Sequence, residues 1–338
     1  MRHRPLLALM VISALCTFLP PAAAQSTASA PAEPKAMREW LMRIHEAASR
    51  KNFQGTFVVS AGGAVSSARI AHFCQGSDQF ERIDSLDGQT RHVFRHNELV
   101  HTLWPHARVA MVEQRELVKS FPALLQDGDD RIAEFYDVRP AGLDRVAGHE
   151  ASVLHVRPRD GHRYGYRLWS ERNSGLLLRA DVLGEKGELL ETSAFSDVAI
   201  DVQPHPEAVL QPMRRLDGYR VVRPTFTPTR LEAEGWSQRQ TVPGFRQVSC
   251  VKRPLDVLGD GETPAGAQAM QTIYSDGLTY VSVFIEPFNP ERHTRSMQRA
   301  IGATQTLMRR QGDWWFTVVG DVPAATLKAF ASGLERRR

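Results

Sequence analysis

The sequence predicts a mainly β protein with two domains, a large antiparallel β domain with a helical plug and a smaller α+β domain. Residues 55–202 alternate between apolar and polar with a period of two, and turn-forming residues cut them into short runs. One amphipathic segment precedes these runs, and a proline-rich stretch follows them. Together these three observations indicate one plugged, curled sheet followed by an independent unit.

The chain opens with the features of a secretory signal peptide. Arg2 and Arg4 are basic, residues 6–19 are almost wholly apolar, and Ala22–Ala24 supply small residues for cleavage before Gln25. The apolar run is shorter than the ~20 residues that span a bilayer. We therefore expect residues 1–24 to be removed and the mature protein to work in the bacterial periplasm.

The net charge limits the classes of partner that we expect, and the cysteine content limits the possible disulfides. The formal net charge is +4, and the mature chain is nearly balanced once the basic signal peptide is gone, so nucleic acid is not an expected partner. A slight basic bias would suit anionic lipid head groups or an acidic peptide. Cys74 and Cys250 remain after cleavage, and two alternatives stay open: a disulfide between the domains, which an oxidising compartment permits, or two buried free thiols.

The first structured element is predicted to be a helix over about residues 35–51, after a disordered leader at 25–34 that is rich in Ala, Ser and Pro. Its apolar residues fall at helical spacing and would form one stripe. These residues are Met37, Trp40, Leu41, Ile44 and Ala48.

The first domain, residues 35–202, is then predicted to contain about ten strands. The predicted strands lie near 55–60, 79–85, 90–95, 98–103, 108–113, 135–139, 150–157, 163–170, 176–183 and 188–198. Turn-formers such as Asp87-Gly88 and Asn173-Ser174-Gly175 join them. Sequential strands with tight turns predict an antiparallel meander curled into a sandwich or barrel, which the helix would plug.

Residues 203–229 contain five prolines and little periodicity, so they are predicted to be a linker. The rest, residues 230–335, is predicted to be the smaller α+β domain. Its strands are expected near 246–252, 270–274, 279–286 and 314–319. A final helix over about 324–334 follows Pro323, a residue favoured in the first helical turn.

No catalytic signature was found, so the protein is predicted not to be an enzyme and to need no cofactor. The sequence lacks a zinc-protease helix, a nucleophile elbow, a phosphate-binding loop and a dinucleotide fingerprint. Four histidines lie close together in the chain, but their intervals are irregular and no cysteine or carboxylate completes a ligand set, so we predict exposed strand residues and no metal site. They are His92, His96, His101 and His106.

The apolar residues of the first domain allow two readings. They fill a core, or they line a hollow that holds an acyl chain, since apolar burial contributes about 25 cal/mol per Å². Our predicted lipid-pocket residues are Trp40, Leu41, Ile44, Phe57, Val59, Tyr166, Leu178 and Val182.

Three blocks of the sequence form an ordered set. The first is Asp160-Gly161-His162-Arg163-Tyr164-Gly165-Tyr166-Arg167-Leu168-Trp169, continued by residues 178–183 and 187–191. The second is Tyr274-Ser275-Asp276-Gly277-Leu278 with the following strand, and the third is Pro243-Gly244-Phe245. In this order the blocks resemble the RseB/MucB family, the regulators of the envelope-stress sigma factor (sigma-E or AlgU), and the third is similar to the opening of the family's C-terminal domain. The resemblance spans nearly the whole mature chain.

This resemblance implies a first domain like those of the lipoprotein carriers LolA and LolB, an unclosed β-barrel with a helical plug. It implies that the protein binds the periplasmic segment of a membrane anti-sigma factor similar to RseA or MucA and shields it from the initiating protease. Lipid, lipopolysaccharide or misplaced lipoprotein would cause release, and a homo-oligomer is left open. The alternative is a periplasmic lipid or lipoprotein carrier, which would not need the second domain.

For the anti-sigma segment we favour the C-terminal domain and its junction with the first. Arg292, Arg295 and Arg299 are the predicted partner-binding residues, because they could face acidic groups. The alternative is that these three arginines form an ordinary solvated surface.

Overall fold

A computed structural model describes residues 34–114, 132–255 and 266–337. The predicted signal peptide and residues 25–33 of the predicted leader lie outside the described residues. Among the helices of the described ranges, none combines the length and the apolar character that crossing a membrane requires.

Helix α1 (Pro34–Arg50) confirms the predicted first helix within one residue at each end. Met37, Leu41 and Ile44 are buried at helical spacing, so one face packs on the sheet while the opposite face is exposed. Arg50 lies in the last turn, where a cation is favourable to the helix dipole.

The first domain is built on one unclosed sheet of twelve strands. Its strands are β1 (Phe53–Ala61), β2 (Ala64–Gln75), β3 (Asp78–Ser85), β4 (His92–His96), β5 (Leu99–Trp104), β6 (Val109–Gln114), β7 (Tyr136–Val146), β8 (His149–Pro158), β9 (Gly165–Glu171), β10 (Leu177–Leu183), β11 (Leu189–Ile200) and β12 (Arg220–Val222). A short helix, α2 (Ile132–Phe135), precedes β7.

The strand order is β12-β6-β5-β4-β3-β2-β1-β11-β10-β9-β8-β7. Two meanders are therefore joined where β1 pairs with β11, and β7 and β12 are the outermost of the described strands. All neighbours are antiparallel except β12 and β6. The predicted fold class, an unclosed antiparallel sheet with a helical plug, is confirmed.

Strand β2 was missed by the sequence analysis. Its first half is made of small and polar residues, which give no apolar alternation. The strand forms because Gly62 and Gly63, both at positive φ, allow a tight turn and β2 then pairs with β1 along the whole of that strand.

The predicted linker, residues 203–229, contains regular structure. Helix α3 (Glu207–Arg214) buries Val209 and Met213 against an apolar cluster of the first sheet. Strand β12 then extends that sheet. Proline-rich sequence gave no periodic signal, but two apolar residues one helical turn apart suffice to anchor α3. The division into domains at 35–202 and 230–335 stays a prediction.

The second domain is α+β, as predicted. Its elements are β13 (Thr227–Pro228), β14 (Trp236–Gln238), β15 (Arg246–Pro254), β16 (Gln268–Ser275), β17 (Tyr280–Pro287), β18 (Met297–Ile301), β19 (Thr304–Gln311), β20 (Trp314–Gly320), α4 (Ala324–Gly333) and β21 (Leu334–Arg336). Seven strands form a sheet in the order β13-β15-β16-β17-β20-β19-β18, and β14 pairs with β21. Leu327 and Phe330 of α4 join its core. Strands β18 and β19 were not predicted; all five residues of β18 are exposed, so that strand shows no alternation of buried and exposed residues.

His72 makes the stability of the first domain sensitive to pH. Its ring is buried and stacks on Phe53 at 5.2 Å, and Nδ1 lies 2.9 Å from the Lys51 carbonyl oxygen. Burial lowers the pKa of His72 and outweighs the attraction of Glu81. Since the folded pKa lies below the unfolded value of about 6.5, this group stabilises the fold above that pH, and the contribution is lost as pH falls towards the folded pKa.

We expect the free energy of unfolding to fall as the pH decreases below the unfolded value of about 6.5, with at most about 1.4 kcal/mol per pH unit from His72. Urea unfolding at a series of pH values should show a shallower dependence for His72→Gln. His106→Gln removes an exposed imidazole from the same domain and is the matched control, against which the effect of His72→Gln is compared. Equal slopes for His72→Gln and the wild type would exclude this role for His72.

Candidate functional site

The first two of the three sequence blocks that resemble the family meet at the junction between the domains. Arg163 lies just before β9, and Asp276 lies in the turn between β16 and β17. Arg163 Nε donates a hydrogen bond to Asp276 Oδ2 at 2.6 Å. Both side chains are fully buried, so this is an ion pair without solvent around it.

The Asp276 carboxylate shapes its own turn and binds the first domain. Oδ1 accepts hydrogen bonds from the backbone N–H groups of Leu278 and Thr279 at 3.0 and 2.9 Å. Oδ2 also accepts one from the Tyr136 hydroxyl at 2.8 Å. Burial raises the pKa of Tyr136, so its hydroxyl stays protonated and donates. The turn conformation and the docking of the domains therefore depend on the same carboxylate.

The Arg163 guanidinium is enclosed by aromatic rings from both domains. It lies 4.5 Å from the ring centre of Phe135 and 4.9 Å from that of Phe245. It is also ion-paired with Asp160 and donates to the backbone oxygen of Pro243. A buried cation requires such partners because its desolvation is costly.

Gly244 is required where the second domain approaches Arg163. Its φ is +81°, and a β-carbon added there would lie 2.2 Å from Arg163 Nη2 and 2.8 Å from the Phe135 ring. No other residue type fits this approach without displacing the guanidinium. Pro243-Gly244-Phe245, the third block of the resemblance, thus forms part of the same junction.

Leu278 of the second domain packs in the apolar interior of the first domain. It is 7% exposed and belongs to a cluster with Met37, Leu41 and Ile44 of α1 and with Tyr166 and Leu168 of β9. We call this group the α1 cluster. Leu278 is two residues from Asp276, and its backbone N–H donates to Asp276 Oδ1, so one turn contributes to both the α1 cluster and the ion pair.

Five of the eight predicted lipid-pocket residues come together in or against the α1 cluster: Trp40, Leu41, Ile44, Tyr166 and Val182. Phe57 and Leu178 pack in a neighbouring cluster around Phe53 and Phe195. Val59 is half-buried and lies outside both clusters as they are described. That these residues face a hollow which accepts lipid stays a prediction.

The three predicted partner-binding arginines lie at one side of the second domain. Arg292 is half-buried and pairs with Glu286 at 3.2 Å, where both residues line a cavity of about 500 Å³ with Phe288. Arg295 and Arg299 are exposed, immediately before β18 and within it. Within the described ranges, no ion pair involves either of them.

The histidines of the first domain are held by other contacts. His92 Nδ1 lies 2.6 Å from Asp84 Oδ1, and His96 stacks on Phe80 at 4.7 Å. The prediction of exposed strand histidines was wrong for His101, which is buried beside its strand neighbours. Over the residues that the structure describes, no group of His, Cys, Asp or Glu could hold a metal ion.

Cys74 and Cys250 are free thiols. The Cys74 thiol donates to the Ser49 carbonyl oxygen at 3.1 Å in the first domain. Cys250 is buried in the core of the second domain, where burial raises its pKa to about 11. No disulfide joins these two positions, and the junction is held by the contacts around Arg163.

Family comparisons agree with this two-domain arrangement. The family model for the MucB/RseB N-terminal domain matches residues 36–213, and the model for the MucB/RseB C-terminal domain matches residues 230–335. The chain belongs to the MucB/RseB family. Its members in the comparison carry the names of sigma factor regulatory proteins.

Similar proteins of known sequence and structure cover nearly the whole chain. The sigma factor AlgU regulatory protein MucB of Pseudomonas aeruginosa is 32% identical over 301 residues, 87% of this chain and 89% of that protein. The sigma-E factor regulatory protein RseB of Escherichia coli K12 is 26% identical over the same shares. A crystal structure of MucB in complex with MucA(peri) has a TM-score of 0.65 and 28% identity, and covers 89% of this chain and 99% of that one.

Proposed function

We propose that this MucB/RseB-family protein works in the periplasm, where it binds the periplasmic segment of a membrane anti-sigma factor and shields it from the protease that begins its degradation. Lipid, lipopolysaccharide or a misplaced lipoprotein would release the segment. The single observation that carries the proposal is the buried junction, which connects an apolar cluster in one domain to the domain that bears Arg292, Arg295 and Arg299. The complex of the related MucB with MucA(peri) supports a partner of this kind.

Release by lipid requires that two binding events oppose each other, which is a coupling free energy between two sites. An acyl chain that enters the α1 cluster must displace some of its members. Leu278 is the member that comes from the second domain, and its backbone N–H is held by Asp276. Displacement of Leu278 would therefore strain the turn that Arg163 binds, and the surfaces of the two domains would move relative to each other.

Charge reversal tests whether the three predicted arginines contact the anti-sigma segment. We expect the substitutions Arg292→Glu, Arg295→Glu and Arg299→Glu together to weaken binding of the anti-sigma segment about tenfold, since each exposed ion pair contributes roughly 0.2–1 kcal/mol. Calorimetric titration of the full chain with the periplasmic segment of the same organism's anti-sigma factor measures the effect.

A second triple variant gives the matched control. Arg50 and Arg172 are exposed on the first domain and Arg214 is exposed at the end of α3, and replacement of all three by glutamate makes the same change in net charge. This control should retain the wild-type affinity. If the wild type shows no binding at micromolar concentrations, the proposed function is wrong; if both triple variants bind equally well, the three predicted arginines do not contact the segment.

A further inference from the structure

Among the residues that the structure describes, none pairs with the outer side of strand β18, which is an edge of the second sheet. It pairs with β19 on one side and is the last strand in the sheet order. All five of its residues are exposed, including Met297 at 37% and Ile301 at 52%. An exposed edge strand offers free backbone donors and acceptors to an incoming strand, and it carries no lysine or proline that would discourage pairing.

The register shows which backbone groups of β18 are free. A two-residue loop, Gly302-Ala303, joins Ile301 to its partner Thr304. Residues that flank such a loop form a hydrogen-bonded pair, and these pairs alternate along an antiparallel ladder. The N–H and C=O groups of Gln298 and Ala300 therefore point away from β19 and towards the open edge.

The side chains of β18 make the edge partly apolar and partly positively charged. Met297, Arg299 and Ile301 share one face, because side chains alternate along a strand. Arg299 and the preceding Arg295 are exposed and, in the part of the chain that the structure describes, no salt bridge neutralises them. Residues 288–311 contain five arginines and one glutamate. The edge is thus apolar at two positions and positively charged between and beside them.

The edge also lies beside the junction between the domains. Gly302, at φ +58°, approaches the β1–β2 hairpin so closely that an added β-carbon would lie 2.6 Å from the β-carbon of Ala61. A strand that pairs with β18 therefore extends towards the first domain at the end of β18 that carries Ile301.

We propose that β18 binds an extended, acidic segment of the anti-sigma factor by strand addition, with the free groups of Gln298 and Ala300 forming the new ladder. The proposal rests on the proposed function and adds the mode of binding. It requires an acidic side chain opposite Arg299, with apolar side chains two residues before and after it that contact Met297 and Ile301.

The variant that tests strand addition is Ala300→Pro. Proline removes the outward N–H and places its ring on the open edge, and edge strands tolerate proline when its nitrogen faces solvent. Ala300→Val keeps the N–H and adds side-chain volume at the same exposed position, so it is the matched control. With full-length protein and the anti-sigma segment, we expect Ala300→Pro to lose affinity about tenfold or more and Ala300→Val to stay within about twofold of the wild type.

Hydrogen exchange provides a second measurement that does not depend on the variant folding. In the wild type, the amides of Gln298 and Ala300 should exchange rapidly and become protected when the segment binds. Unchanged exchange at both amides overturns strand addition, as does equal affinity of Ala300→Pro and Ala300→Val.

Other occupants of the edge give different results. If Ala300→Pro changes the oligomeric mass but not the affinity for the segment, β18 pairs with a second copy of the chain and the proposal is wrong. If the wild type fails to bind the segment at all, the proposed function itself fails. The two failures are therefore distinguishable.

Discussion

Replacing Arg163 by methionine should lower the free energy of unfolding by about 3–5 kcal/mol, because it leaves a buried carboxylate without its cation. Asp276 would remain fully buried, with only the Tyr136 hydroxyl and two backbone N–H groups as partners. Methionine keeps much of the apolar stem volume of arginine, so the effect measures the loss of charge and hydrogen bonds more than the loss of packing.

Urea unfolding of the full chain, followed by tryptophan fluorescence, measures this effect. Arg172→Met is the control, because Arg172 pairs with Glu150 at the surface, where both side chains are more than half exposed. An exposed pair contributes little, so the midpoint of this control should stay near that of the wild type. If Arg163→Met were as stable as Arg172→Met, the buried ion pair would not hold the junction.

Replacing Leu278 by alanine should increase the affinity for a single-chain amphiphile by about ten- to hundredfold. In the wild type an acyl chain must displace Leu278, and burial of a leucine side chain contributes roughly 1.5–3 kcal/mol. In the alanine variant the space is free, so this free energy is no longer lost when the amphiphile binds. The same substitution should weaken the docking of the domains, because Leu278 is the contact that the second domain makes in the α1 cluster.

Fluorescence titration with dodecylphosphocholine below its micelle concentration measures the affinity. Leu327→Ala is the matched control, since Leu327 is fully buried in the core of the second domain and takes no part in the α1 cluster. It should destabilise the protein and leave the amphiphile affinity unchanged. Equal amphiphile affinities for Leu278→Ala and the wild type would show that the acyl chain does not take the place of Leu278.

The sequence predicted those parts of the fold that have a local, periodic signal. Helix α1 was found because Met37, Leu41 and Ile44 repeat at helical spacing, and most strands were found because their buried and exposed residues alternate. Strand β2 was missed because its first half pairs without apolar alternation. Helix α3 was not predicted because prolines argue against a helix and only two of its residues, Val209 and Met213, are buried at helical spacing.

The candidate site could be predicted only in part. The residues around Arg163 and Asp276 were singled out by the family resemblance, but nothing in a one-dimensional pattern pairs two residues 113 positions apart. The local sequence Ser275-Asp276-Gly277 indicates a turn, and an aspartate in a turn often accepts hydrogen bonds from backbone N–H groups. That its second oxygen reaches the other domain follows only from the packed structure.

The positions of the pocket residues could also be predicted only in part. Periodicity identified them as apolar and inward-facing, and five of the eight do gather in or against the α1 cluster. Phe57 and Leu178 belong to the adjacent cluster, because sheet curvature and register shifts decide which apolar side chains meet. A sequence pattern gives the face of a strand but not its position around a curled sheet.

The proposed antagonism between lipid and partner is tested most directly by two reciprocal titrations of the full chain. One measures the affinity for the anti-sigma segment with and without saturating dodecylphosphocholine, and the other measures the affinity for dodecylphosphocholine with and without saturating segment. Linkage requires both affinities to fall by the same factor, and we expect that result. An amphiphile that binds in the α1 cluster and leaves the affinity for the segment unchanged would contradict it.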